Sequence, residues 1–367
     1  MSEHTMQRHA HPMMFLLLLT LLLSTVRPAS SLGAGSENDS ASVLPFVTTD
    51  AVVTRHPVTG KTTREAGVIE DLAGNEVQLR RAGGRRVDHI YLRDIADLQF
   101  RKSAEHDAGL LLLAEGNWEK ALTALDSAAQ TEQRDWVQRE VQASAAATLL
   151  ALKRHTEVIE RIEKIAESDP DTRHVGLLPL VWDERLPPEE RFQSPPSDMK
   201  SPSLIRRLTA ASSLLQNPRH ETAAIGVLTE LRKCEHPRIQ ELAEIQLWRL
   251  EILKPEELRK SDVRFRQLRT TDFDQQIRGA AEFVTGRALM QQFDFDAAAL
   301  CLMWMPAMTP ADRATAAASL NDAAVALTKS GQIAAAAQVR QELLSRFPET
   351  STASRVAAAE PESQINP

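Results

Sequence analysis

Few side chains in this chain are spaced for catalysis. Gly60-Lys61-Thr62 ends like a phosphate-binding loop, but such a loop needs a glycine five residues before its last glycine, and Arg55 stands there. The tripeptide reads as a hairpin turn. No Gly-x-Ser-x-Gly turn offers a strained nucleophilic serine, and no His-Glu-x-x-His offers a zinc pair. His106-Asp107, His220-Glu221 and Glu235-His236 are sequence neighbours, which diverge on a helix. Glu189-Glu190 and Glu256-Glu257 suit solvated helix starts. Cys234 and Cys301 read as small buried hydrophobes, since a disulfide framework takes a shorter chain and more cysteines. The expectation is a non-enzyme with no catalytic residue, cofactor or metal. A site built from distant carboxylates stays open, and a raised carboxylate pair in a deep pocket would be its mark.

One charged cluster stands out. Arg80, Arg81, Arg85 and Arg86 flank Gly83-Gly84 and put four cations at one hairpin tip. They read either as a dock for an anionic partner (an acidic protein face, a wall polymer, lipid headgroups) or as charge that keeps an exposed hairpin from aggregating. Trp118, Trp136, Trp248 and Trp304 lie beside apolar helical positions and are expected to pack in the core. Met303, Met305 and Met308 add a soft cluster there.

Positioning these groups falls mainly to helices. The 367 residues suffice for two or three modules, and the net charge of −7 argues against a nucleic-acid partner. Aromatics are only 4%, and the Ala- and Leu-rich apolar set favours close-packed helices. Residues 1–31 read as a signal peptide: Arg8, the apolar run Phe15 to Leu23, then small residues with Ala29 and Ser31 placed for cleavage. His4, His9, His11, Met13 and Met14 lie in this segment and carry no metal expectation. The run is too short to span a bilayer, so an exported chain, periplasmic or secreted, is expected.

Residues 32–44 read as a disordered linker. Over 45–102, short runs alternate with period two between turns at Thr59-Gly60-Lys61, Ala73-Gly74-Asn75 and Gly83-Gly84. Five short strands can curl into one small antiparallel barrel, with a helical turn at Leu92-Arg93-Asp94. This spacing resembles the Src-homology-3-like barrels.

From Ser103 onward the period is helical. Six helical hairpins are expected, over 104–130, 135–167, 203–233, 238–269, 273–304 and 311–346. Thr309 is expected to cap the helix that carries Leu320, Ala323, Ala324 and Leu327, and Gly331 to end it. Gly116, Trp118, Ala121, Leu125 and Ala128 resemble a tetratricopeptide repeat. So do Gly331, Ile333, Ala336, Leu343 and Pro348. Phe295, Ala298, Leu302 and Met305 fit more loosely, with Phe293 where the turn glycine belongs. Phe295 to Ile333 is a 38-residue offset, longer than the family's roughly 34. The hairpins thus divide into 103–168 and 203–347. Between them, 169–202 is a Pro-rich insertion, expected to pack back through Leu177 to Trp182 or to act as a hinge; 348–367 is expected to be a disordered tail. The resemblance implies a scaffold that binds protein or peptide partners in the cell envelope along a concave helical face. The alternatives are a cell-wall or glycan adaptor using the barrel, and an enzyme with an unrecognised site.

Overall fold

The computed structural model describes residues 50–81, 84–252 and 273–363. The segments expected to be an export signal and a linker, Gly83 and the end of the expected fourth hairpin lie outside the described residues, as do 364–367.

The alternating N-terminal segment forms β1 (Asp50–Arg55), β2 (Thr62–Ala73), β3 (Glu76–Arg81), β4 (Val87–Tyr91) and β5 (Ile95–Gln99). All pairings are antiparallel, in the order β4-β3-β2-β1-β5. Val52, Ile69, Leu72, Val77 and Leu79 are buried; Val77 and Leu79 follow period two, and a register shift between Ile69 and Asp71 turns Leu72 inward as well. Gly60 (φ +67°) and Gly74 (φ +52°) make the first two turns. A 3-10 turn, Leu92–Asp94, links β4 to β5 where a helical turn was expected.

The sheet does not close into the expected barrel, for β4 and β5 remain its two edges. Helical surface takes up what closure would have covered. β2 outruns β1, whose pairing ends at Gly67, and its register with β3 shifts between Ile69 and Asp71. The carbonyls near that bulge turn to a helix instead: Ile69 accepts from Trp136 Nε1 at 3.1 Å and Leu72 from Arg139 Nη2 at 3.0 Å. Phe100 meets the Trp136 ring edge-on at 4.8 Å.

The helices are α1 (Ala104–Ala114), α2 (Trp118–Thr131), α3 (Asp135–Ala151), α4 (His155–Ser168), α5 (Leu204–Leu214), α6 (Glu221–Leu231) and α7 (Pro237–Ile252). After residue 272 come α8 (Gln275–Gln291), α9 (Phe295–Leu302), α10 (Trp304–Met308), α11 (Arg313–Lys329), α12 (Ile333–Arg346) and α13 (Ser351–Ser363).

Four hairpins share one turn. Gly116, Lys153, Phe293 and Gly331 all have positive φ, from 60° to 82°. The next residue's N–H donates five residues back in each: Asn117 to Leu112, Arg154 to Leu149, Asp294 to Leu289 and Gln332 to Leu327, at 2.8 to 3.0 Å. This is the glycine-type helix stop that also satisfies the last carbonyls. Phe293 does occupy the glycine position. Lys153 gives the α3–α4 hairpin the same turn, which its sequence did not reveal. The helical region is therefore repeat-like.

Three expectations need correction. Asp312, not Thr309, caps α11: its carboxylate accepts from Thr315 N at 3.2 Å, while Thr309 ends the short α10. The tail from 348 carries a helix, α13, because Glu190 accepts from Ser351 N (2.8 Å) and Oγ (2.7 Å) at its start and Ala353 is buried. Trp136 and Trp248 are core residues, but Trp118 and Trp304 are only part-buried and lie under the guanidinium groups of Arg313 (4.7 Å) and Arg278 (4.3 Å). The Arg313–Trp118 contact joins the start of α11 to the start of α2, so the helical array bends back toward its own beginning.

Candidate functional site

The insertion packs on the helices rather than hanging free. Leu178, Leu180, Val181, Trp182 and Leu186 are buried, and Leu177 is half-buried. At its start, Gly176 lies so close to α8 that a Cβ there would come 2.8 Å from Gln276 O. Residues 178–183 have no helix or strand of their own and run as an irregular strap, with Leu180 N donating to Leu178 O at 2.7 Å around Pro179.

Helices α5, α7 and α8 are positioned to hold this strap. Each has an apolar stripe with one or two polar residues set into it: Ser212 after Ile205 and Leu208, Gln246 and Arg249 after Ile239 and Leu242, and Arg287 after Ala280 and Phe283. Ser212 Oγ accepts from Val181 N at 2.9 Å, and Gln246 Nε2 donates to Val181 O at 3.2 Å. Both backbone groups of one strap residue are thus read by side chains. Arg287 donates to Asp183 Oδ1 and to Glu184 Oε1, each at 3.3 Å. Arg185 joins Asp183 (2.6 Å) to Asp322 of α11 (2.6 Å). Burial opposes ionisation of Asp183, but the hydrogen bonds and charges of Arg185 and Arg287 outweigh it and hold its carboxyl below the usual range.

The fit of the strap is incomplete. Arg249 is 2% exposed, and burial presses its guanidinium down to about 10. Its Nη2 donates to Ser212 O at 3.1 Å, but its Nε and Nη1 have no acceptor among the described residues. Gln246 Oε1 and Glu184 Oε2 are buried without a donor among the described residues.

Two openings border the insertion. A groove of about 390 Å³ lies between α4, α5 and α7, beside the first part of the insertion, with Pro170 and Val175 in its wall. Ala166, Leu204, Ile205 and Ile239 make it apolar, while Glu163, Glu167 and His236 add charge and polarity. Glu163 is engaged by Arg206 at 2.7 Å. Near the other end of the strap, a cleft of about 20 Å³ has room for roughly one water. His155, Glu190 and Asp312 line it. Burial raises Asp312 to about 6 with help from the Glu190 charge, and burial beside Lys153 lowers His155 to about 4. Titratable groups do meet here, in a space smaller than a substrate.

The four arginines lie at the exposed β3–β4 end of the sheet. Arg80 pairs with Glu70 at 3.1 Å, Arg81 with Glu65 at 2.8 Å and with Asp88, and Arg86 with Asp88 at 3.1 Å. Arg85 has no ion pair among the described residues. Three carboxylates therefore offset most of this charge.

Gly60-Lys61-Thr62 lies at the β1–β2 turn, and a strand follows it. Cys234 and Cys301 are half-buried and form no disulfide. Among the described residues no three His, Cys, Asp or Glu side chains gather as a metal set, and no helix is long and apolar enough to cross a membrane. Comparison with family models, curated proteins and solved structures gives no match.

Proposed function

We propose that this chain is an exported scaffold whose tetratricopeptide-like helical array binds a protein or peptide partner. The observation that carries the reading is the strap: the helical face already holds a segment without helix or strand through its backbone groups, apolar side chains and carboxylates. The adjoining 390 Å³ groove is open to a second chain. The repeated hairpin turn supports the repeat family, whose stacked hairpins suit extended ligands. The strand order and the turn between β4 and β5 support the Src-homology-3-like reading of the sheet. The apolar run Phe15 to Leu23 supports action outside the cytoplasm, in a periplasm-like or extracellular space.

The test is in-cell crosslinking of a tagged chain, then capture and identification of what co-purifies. Ala166→Arg would plug the groove at a half-buried wall position. A reproducible protein partner, lost in Ala166→Arg and kept when the four arginines are reversed to glutamate, is the expected result. Recovery of wall polymer alone, dependent on those arginines, would replace this reading with the adaptor.

A further inference from the structure

The strap looks less like a linker than like a ligand. Side chains on two different helices read the N–H and the C=O of Val181, a mode of recognition that does not depend on the side chain between them. The neighbouring side chains supply selectivity: Leu180, Val181 and Trp182 enter an apolar face, and Asp183 and Glu184 meet Arg287. The ligand is nevertheless imperfect: among the described residues nothing pairs with the buried Arg249 Nε and Nη1, Gln246 Oε1 and Glu184 Oε2 at this seat. At its leading end the insertion forms part of the wall of the open groove, where an incoming chain would first meet it.

We propose that the face built by α5, α7, α8 and α11 is a seat for an extended peptide, and that residues 178–186 occupy it as a built-in ligand. A partner segment of the same chemistry, aliphatic and aromatic residues followed by paired carboxylates, takes the seat when the strap lifts. This rests on the scaffold reading above and adds to it where the partner lies and what it must carry. A carboxylate placed slightly deeper than Glu184 would meet the unmatched Arg249, which gives a partner an advantage over the strap. Occupancy by the strap also keeps the seat closed until such a partner is present.

The experiment uses the full chain and a fluorescently labelled synthetic peptide with the sequence of residues 178–186, read by anisotropy. Trp182→Ala loosens the strap and leaves the seat unchanged. It is expected to bind the peptide at least ten-fold more tightly than the unaltered chain. Adding Arg287→Gln should reverse that gain at least ten-fold. A Trp182→Ala protein with full helical circular dichroism that binds no better overturns the proposal, as does binding indifferent to Arg287. If Trp182→Ala does not fold, hydrogen exchange on the unaltered chain decides. The Val181 amide is expected to exchange by local opening, at least ten-fold faster than the core amides of α7. Exchange of Val181 only with global unfolding makes the strap a permanent staple and ends the idea. A captured partner that Ala166→Arg abolishes, together with a failed peptide, would leave the scaffold reading standing and remove only this inference.

Discussion

Arg238 Nη2 lies 2.8 Å from Asp274 Oδ2, and the same guanidinium donates to Gly74 O at 3.2 Å and to the backbone carbonyl of Asp171. One buried cation thus ties the β2–β3 turn, the insertion and the start of α8 together. Removing it leaves the Asp274 carboxylate without its cation and takes a donor from Gly74 O, Asp171 O and Asn75 Oδ1. Arg238→Met is expected to lower stability by about 3 kcal/mol, the usual cost of breaking a buried pair. Denaturant unfolding followed by tryptophan fluorescence would measure it, and a loss below about 1 kcal/mol would show that the tie is dispensable.

Glu140 fixes the insertion to α3. Burial opposes its charge, but His174 at 3.0 Å and Arg173 at 2.6 Å overcome this and hold its carboxyl at about 2. Because the folded value is below the unfolded one, its contribution is present above the ordinary carboxylate range. It is lost as pH falls from about 4.5 toward 2, by up to about 3 kcal/mol. Glu140→Gln should therefore be clearly less stable at pH 7 and nearly equal to the parent near pH 2. Parallel melting curves that keep their separation in acid would refute the assignment.

Asp312 has the opposite sign. Its folded value is raised to about 6, so the native state holds a proton that the unfolded state releases, and stability falls as pH rises from about 4 to 6. Asparagine can still accept from Thr315 N without the buried charge. Asp312→Asn is expected to gain about 1–2 kcal/mol at pH 7 and nothing at pH 4. Thermal melts at the two pH values give the answer.

Lys153 and Phe293 hold a conformation that favours glycine, with φ of 60° and 62°. Phe293 is 77% exposed and has little packing to lose. Replacing either with glycine should raise stability by about 0.5–1 kcal/mol. A loss at Phe293 would mean that its exposed ring contributes a contact that outweighs the strain.

Gly176 marks a tight approach to α8. The atom a new Cβ would meet, at 2.8 Å, is a backbone carbonyl, which cannot rotate away. Gly176→Ala should lower stability by about 2 kcal/mol, readable as a fall in melting temperature.

The fold was largely written in local patterns. Alternation marked the strands, and Gly116 and Gly331 marked two of the four shared turns, because local conformation alone dictates such features. Lys153 hid a third turn, since only the backbone angle, and not the residue type, reveals the left-handed stop. The N-cap of α11 was misplaced by three residues because Thr309 and Asp312 both suit the role, and only the end of α10 at Met308 decides between them. That Trp136 and Arg139, far along the chain, take two carbonyls of β2 was not legible. Neither was the seat of the strap. Its signal was present in Gln246 and Arg249, polar residues on the apolar stripe of α7, but the strap residue that Gln246 meets, Val181, lies 65 residues away.

The long reach of the strap also bears on how the chain acquires its structure. Arg185 meets Asp322 137 residues later, and Glu190 meets Ser351 161 residues later. Contacts this distant in sequence form late, after a large loop has been closed. As the chain emerges, Leu180, Val181 and Trp182 precede α5, α7 and α8, the helices that hold them. For that interval they form an uncovered apolar run that other chains or chaperones can engage. Folding of this protein should therefore be slow, dependent on its last helices, and sensitive to truncation at the C-terminal end.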